Sequence, residues 1–304
     1  MIFVEVYDGH MHIAMAGSSG YLGTALRERL VHAGHEITRL VRHTPRAKDE
    51  VEWNPYREDL DPAILDGVQA VINLSGVPIA GKRWNTAYKK RIVSSRVIPT
   101  RVLAKAIARA KTPTFLSASA VGFYGARGEL TVDESNPPAG DFLGETARKW
   151  EEATEEASES GSRVVNLRTS HVFGPGAIML NKLGPAFKLG LGGHFGNGQQ
   201  FLPWISLRDW TKAVEFALDG SISGPVNLVS PTPTRNKEFA KALGRQMNRP
   251  AIWPIPGFAV KIIAGEAAVE LLRGSRIVPG VLQEQDFDFF DPIIDDALDY
   301  ALSD

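Results

Sequence analysis

The chain has 304 residues, 34 Lys+Arg against 35 Asp+Glu, a formal net charge of -1 and a hydrophobic content of 43%. That composition belongs to folded globular chains and excludes a disordered one. No stretch of about 18 apolar residues runs free of charge, which excludes a membrane-spanning helix. The absence of cysteine excludes disulfides, thiolate metal sites and a Cys nucleophile, and the scattered His residues outline no metal site. A near-neutral total gives no general reason to expect nucleic acid or an anionic membrane as partner. The N-terminus carries no signal-peptide pattern, so the expected location is the cytoplasm.

In residues 1–10, Ile2, Val4 and Val6 alternate with Phe3, Glu5 and Tyr7 before a break at Gly9-His10. They read either as an extra edge strand or as the end of an upstream segment. His12–Ala16 is predicted as a strand. Leu22, Leu26, Leu30 and Ala33 recur at helical spacing, and Gly34 ends that helix. Ile37–Val41 is the next strand, Asp61-Pro62 a helix start, and Val68–Leu74 a run of the kind buried on both faces of a parallel sheet. A helical stretch from about Trp84 to Ala110 is expected to break near Pro99. Thr114–Ser119 is a strand, Asp141–Ser160 a helix, and Arg163–Thr169 a strand. Strands spaced by helices predict an α/β, doubly wound parallel sheet over residues 11–174. Beyond Pro175 six glycines fall between Gly184 and Gly198, which predicts an irregular stretch, either a substrate lid or an ordered connection. Residues 175–304 are expected to form a smaller substrate lobe interleaved with the sheet. The tail after Arg276 has no Lys or Arg and reads as a solvated helix face.

The most informative stretch is Gly17-Ser18-Ser19-Gly20-Tyr21-Leu22-Gly23. Three glycines at Gly-x-x-Gly-x-x-Gly spacing lie between a strand and a helix. Gly17 permits the tight turn, Gly20 lets backbone approach a pyrophosphate, and Gly23 lets the helix close on the strand. The helix N-terminus then offers free N–H groups to phosphate. The second strand ends at Arg42 and His43 with no acid for a ribose hydroxyl. Arg42 is placed to meet a 2′-phosphate, so the expected cofactor is NADP(H) in preference to NAD(H).

Further motifs give the chain a family resemblance. They are Asn73-Leu74-Ser75-Gly76, Gly81 to Trp84, Ser95-Arg96-Val97, Ser117-Ala118-Ser119 running on to Tyr124-Gly125, Asp141-Phe142-Leu143, Lys149-Trp150-Glu151, and Pro203-Trp204-Ile205 with Asp209. From Met11 to Leu302 the chain resembles the extended, nucleotide-sugar-epimerase-like short-chain dehydrogenases. Within them it resembles the atypical epimerase family whose bacterial members were once labelled cell-division inhibitors. The resemblance implies a Rossmann-like domain that holds NADP(H) along residues 17–23, 73–76, Arg96 and Ser117-Ala118. It also implies a C-terminal lobe for a small hydroxylated or nucleotide-sugar-like substrate.

Such enzymes use a Tyr, a Lys four residues later and a Ser on the preceding strand. Ser119 matches the Ser, but Phe142 and Thr146 stand at the other two positions, and neither moves a proton at neutral pH. Tyr124 is the candidate replacement acid, with a packing aromatic as the competing reading. His171, after the Arg168 strand, reads as a loop histidine before a catalytic one. Trp84, Phe142, Phe173, Phe201 and Trp204 are expected to line the substrate site. Lys82 to Lys111 holds ten basic residues and no acid; most read as a solvated helix face, with Arg83 and Arg96 available to a phosphate. Two classes of function follow. One is an NADP-dependent oxidoreductase or epimerase with a small-molecule substrate, the other a non-catalytic NADP(H)-binding sensor. Neither nucleic acid nor membrane is expected as partner; an upstream domain or a homodimer is.

Overall fold

The computed structural model describes residues 9–57, 59–79 and 82–303; the strand read at Ile2–Tyr7 lies outside the described residues. In chain order the elements are β1 (His12–Ala16), α1 (Tyr21–His32), β2 (Glu36–Val41), β3 (Glu50–Glu52), β4 (Ala70–Asn73), α2 (Thr86–Ala110), β5 (Thr114–Ala120), β6 (Gly128–Val132), α3 (Phe142–Glu152), α4 (Glu155–Glu159), β7 (Arg163–Thr169) and β8 (His171–Phe173). There follow α5 (Ile178–Lys188), β9 (Trp204–Ser206), α6 (Leu207–Asp219), β10 (Gly224–Leu228), α7 (Asn236–Gln246), α8 (Gly257–Ala264), α9 (Val269–Leu272), β11 (Ser275–Ile277), α10 (Gly280–Glu284) and α11 (Ile294–Leu302).

Seven strands form one sheet in the order β10-β7-β5-β4-β1-β2-β3, every pair parallel. The strands are apolar on both sides because helices cover both faces. Ile13, Met15, Ile72 and Leu116 pack towards α1 and α6. Ala14, Val71 and Phe115 pack towards α2 and α4. The order reverses between β1 and β4, and at such a switch point the strand ends leave a crevice for a ligand. Edge strand β10 comes from residues 224–228, so the C-terminal part of the chain returns to complete the sheet. Two short parallel pairs, β6–β11 and β8–β9, tie the lobe to the sheet's carboxyl edge.

Three local expectations need correction. α2 does not break at Pro99. The buried row Ile92, Ser95, Arg96, Pro99, Leu103 and Ile107 keeps both halves on one line, and the Thr100 hydroxyl donates to the Arg96 carbonyl at 2.8 Å. The predicted Asp141–Ser160 helix is two helices, separated at Ala153-Thr154, where the Thr154 hydroxyl donates to the Glu151 carbonyl. Gly184 lies inside α5, so the irregular stretch begins only after Lys188. It is pinned to the lobe: a Cβ on Gly193 would lie 1.6 Å from the Trp253 carbonyl oxygen, which favours the ordered connection over the lid. The acidic tail is only partly a solvated face. Asp291 is fully buried against Arg208, and Ile294, Ala297, Leu298 and Ala301 of α11 are core.

Candidate functional site

At the switch point the three glycines divide the work by geometry. Gly17 has φ +79°, and a Cβ on it would stand 2.7 Å from the Leu74 carbonyl. A Cβ on Gly23 would stand 2.1 Å from the Gly17 oxygen. Gly20 differs: a Cβ there meets only the Gly17 oxygen, at 3.4 Å, and otherwise points into open space. Gly17 and Gly23 therefore need hydrogen to close the turn, whereas Gly20 leaves room for a ligand. No side chain caps α1 and its first turn carries no acid. The N–H groups of Tyr21, Leu22 and Gly23, which have no partner within the helix, remain for an anion. Beside this turn Ser18 is buried and Ser19 exposed. The cradle thus suits a pyrophosphate. Tyr21 contributes backbone; its ring packs beside the lobe cluster around Phe173.

The loop after β4 forms the opposite wall. Asn73 is fully buried; its amide donates to Thr100 Oγ1 at 2.8 Å and its oxygen accepts from the Ser75 N–H at 3.1 Å. It shapes Leu74, Ser75 and Gly76 without itself facing the crevice. Arg96 corrects an expectation. It is buried, and its guanidinium donates to the Ile92 and Val77 carbonyls and stacks on Trp150, so it clamps the loop's backbone instead of meeting phosphate. Arg83 likewise donates to the Ile262 carbonyl of α8. Ser117 is buried and Ala118 half-buried within β5. Arg42 and His43 are exposed just past β2. Arg39 is held by Asp49 and Glu50, which leaves Arg42 as the cation at that strand end without an ion-pair partner among the described residues.

Below the end of β5 lies a buried polar chain that sequence reading did not foresee. The Ser119 hydroxyl donates to Glu151 at 2.5 Å, and Arg168 grips both Glu151 oxygens at 2.8 Å. Arg168 also donates to the Tyr124 hydroxyl at 2.7 Å, which donates to Asn227 Oδ1 at 2.7 Å. Tyr124 is 0% exposed, and burial pushes its phenol up to about 12. Its placement supports the packing reading over the acid: both sides of its oxygen are occupied, and no face reaches the crevice. The available signal was Arg168 itself. A guanidinium in a buried apolar strand requires an acidic partner, and Glu151 is that partner.

The Tyr–Lys substitution is complete in space as well as in sequence. The Thr146 hydroxyl donates back to the Phe142 carbonyl at 2.6 Å, and Lys149 is exposed. Asp141 caps α3 by accepting from the Leu143 and Gly144 N–H groups, and the helix's first turn packs on Gly122 just past β5. Phe142 faces a cleft of about 760 Å³, lined also by Trp84, Leu143, Phe258, Lys261, Leu272 and Arg273. Of the five aromatics expected there, Trp84 and Phe142 are present. Phe173 and Trp204 are instead lobe core, with the Trp204 indole N–H donating to Thr234. Phe201 lies under Arg235, 4.4 Å from its ring centroid. The lobe needs Phe173 and Trp204 to close its own apolar interior.

His171 begins β8, and burial pushes its imidazole down to about 4. It is neutral at pH 7. The unfolded chain takes up that proton near pH 6.5, so between about 6.5 and 4 the unfolded state binds more protons and stability falls as pH falls. Urea denaturation across this window should show His171→Phe with a shallower acid slope than the parent, by up to about 1.4 kcal/mol per pH unit. Identical slopes would remove His171 from the acid limb.

Strand order, glycine turn and uncapped α1 define a Rossmann-like α/β protein of the short-chain dehydrogenase type. The chain belongs to the NAD dependent epimerase/dehydratase family, whose model matches residues 13–228; residues 255–301 match a domain of unknown function, DUF1731. Epimerase family protein Mb2239 of Mycobacterium bovis is 44% identical over 291 residues, 95% of this chain and 97% of that protein. The crystal structure of human epimerase family protein SDR39U1 with NADPH superposes with a TM-score of 0.86 at 30% identity, covering 96% of this chain and 99% of that one. The nucleoside-diphosphate sugar epimerase of Corynebacterium glutamicum gives 0.80 at 32% identity, over 96% of this chain and 58% of that one. Among the described residues no helix is long and apolar enough to cross a membrane.

Proposed function

We propose that the chain is an NADP(H)-dependent oxidoreductase or epimerase of the extended short-chain dehydrogenase type, acting on a small molecule. The observation that carries the reading is the open cradle at Gly20 under the uncapped α1, with the exposed Arg42, which has no ion-pair partner among the described residues, at the end of β2. NADPH bound to the related human structure supports it. Bound in the cradle, NADP(H) supplies or accepts a hydride. The N–H groups of residues 21–23 would hold its pyrophosphate and Arg42 its 2′-phosphate, with the 74–76 loop as the opposite wall of the crevice. Ser119 is buried and spends its hydrogen on Glu151, so a substrate hydroxyl that reached it would have to donate to its oxygen. A non-catalytic sensor of NADP(H) is the second reading, favoured by Phe142 and by Thr146 with its hydroxyl already bonded.

Calorimetric titration should give tighter binding of NADPH than NADH. Arg42→Ala should cost NADPH about 1.5–3 kcal/mol and NADH little, because only the 2′-phosphate makes the charge-assisted contact. Equal affinities in the parent would overturn the NADP(H) preference. A carbonyl-substrate screen for NADPH oxidation then separates the enzyme from the sensor.

A further inference from the structure

The cleft in front of Phe142 has a chemistry of its own. Its walls are Trp84, Phe142, Leu143, Phe258, Val269 and Leu272, and among the described residues lining it there is no Ser, Thr, Asn, Gln, Tyr or His. The Trp84 and Phe142 rings meet edge-on at 5.2 Å between centroids. Phe258 is 69% exposed, a large ring left facing water. The charged groups at the rim are not equivalent. Asp141 is spent on the α3 amides. Glu266 is paired with Lys89, whose ammonium also stands 5.2 Å from the Phe142 centroid. Lys261 and Arg273 have no ion-pair partner among the described residues. Among the described residues the cleft therefore presents apolar faces with two cations outside any ion pair at its mouth, and one anion, Asp141, held at the α3 N-terminus.

We infer that this cleft takes a flat, apolar molecule carrying an anionic group, in preference to a nucleotide sugar. The inference rests on the proposed oxidoreductase or epimerase function and takes this cleft beside Phe142 as its substrate site. A sugar brings several hydroxyls, and each one buried without a partner is penalised; these walls offer no neutral polar side chain to receive them. Apolar rings lose nothing there, stack on Trp84, Phe142 and Phe258, and place an anion beside Lys261 and Arg273. Phe142 itself fits the scheme, since a hydroxyl at that position would be the lone polar group on the apolar wall.

The test uses the full chain with and without saturating NADPH, and three probes: 2-naphthoate, the neutral 2-naphthamide, and UDP-glucose. Isothermal calorimetry should show naphthoate binding at least tenfold tighter than naphthamide, and UDP-glucose weaker than both. Lys261→Glu with Arg273→Glu should abolish the preference for naphthoate. Phe258→Asp should weaken both naphthyl probes at least tenfold. These three side chains are exposed at the rim or surface, so thermal melts should match the parent. Trp253→Ser, at an exposed ring that does not line the cleft, should change nothing. The inference is overturned if UDP-glucose binds tightest, if the charge reversal leaves the preference intact, or if neither naphthyl probe binds at millimolar concentration. NADPH titration in the same samples keeps the two readings apart. Loss of NADPH binding alone counts against the cofactor site, and loss of the anion preference alone counts against the cleft.

Discussion

Gly20→Val should leave the protein folded and abolish NADPH binding, whereas Gly23→Ala should damage the fold itself. The contrast follows from where each new Cβ would go. Gly20 has φ −76°, a conformation open to any residue, and its Cβ would touch only the Gly17 oxygen at 3.4 Å. A valine there fills the space in which a pyrophosphate would reach the α1 N–H groups. Two lost charge-assisted hydrogen bonds at about 1.5–3 kcal/mol each weaken binding on the order of 10²–10⁴-fold. At Gly23 the added carbon would stand 2.1 Å from the Gly17 oxygen and 2.9 Å from the Ser18 Cα. Both are backbone and cannot step aside, so helix and strand must part. Overpacking of that kind costs roughly 1–3 kcal/mol or more, above the gain in helix propensity from glycine to alanine of about 1 kcal/mol. Calorimetry with NADPH and thermal melts on both variants check the pair of outcomes. A folded Gly20→Val protein that binds NADPH like the parent would show that the glycine turn serves the fold alone.

Glu151→Ala should be among the most destabilising single changes in the chain. Side chains of Arg168 and Glu151 are 4% and 13% exposed, and the pair also holds Ser119 and Tyr124. Removing the carboxylate leaves a buried guanidinium without a counter-charge, at a cost of about 3–5 kcal/mol. Glu151→Gln keeps the shape and one hydrogen-bond acceptor, so it should fall between Ala and the parent. The double variant Glu151→Leu/Arg168→Met removes both charges and should recover much of the loss, as paired buried charges replaced by apolar groups commonly do. Urea denaturation of the four proteins reads this directly. A loss below about 1 kcal/mol for Glu151→Ala would mean that water reaches Arg168, contrary to the described burial.

The local code of this chain was readable where one residue type has one physical use. A glycine turn between an apolar strand and an amphipathic helix predicts the cradle. The positions of β1, β2, β5 and β7 follow from their apolar runs, and Gly34, at φ +93°, ends α1 as expected. The lack of an acid after β2 and the apolar Phe142 are visible as letters. Pro99 shows the limit of that code: proline disfavours helix interiors by its local chemistry, yet a buried face on either side of it kept α2 whole.

What only the tertiary structure decided is which side chains are already engaged. Arg96 reads as a phosphate ligand until Val77 and Ile92 take its donors. Tyr124 reads as an acid until Arg168 and Asn227 occupy its hydroxyl, and Phe173 and Trp204 read as pocket walls until the lobe buries them. Apart from Arg96 to Ile92, one turn apart on α2, each of those contacts joins residues far apart in the chain or on different elements, and spacing along one segment carries no information about them. Lys261 and Arg273 are isolated charges 12 residues apart in the sequence; beside Phe142 they become the rim of a cleft. The sequence by itself determined the strand–turn–helix chemistry of the cofactor crevice, because that chemistry is local. Long-range packing determined the surroundings of Ser119 and the character of the cleft, because hydrogen bonds and burial there are settled only when distant segments meet.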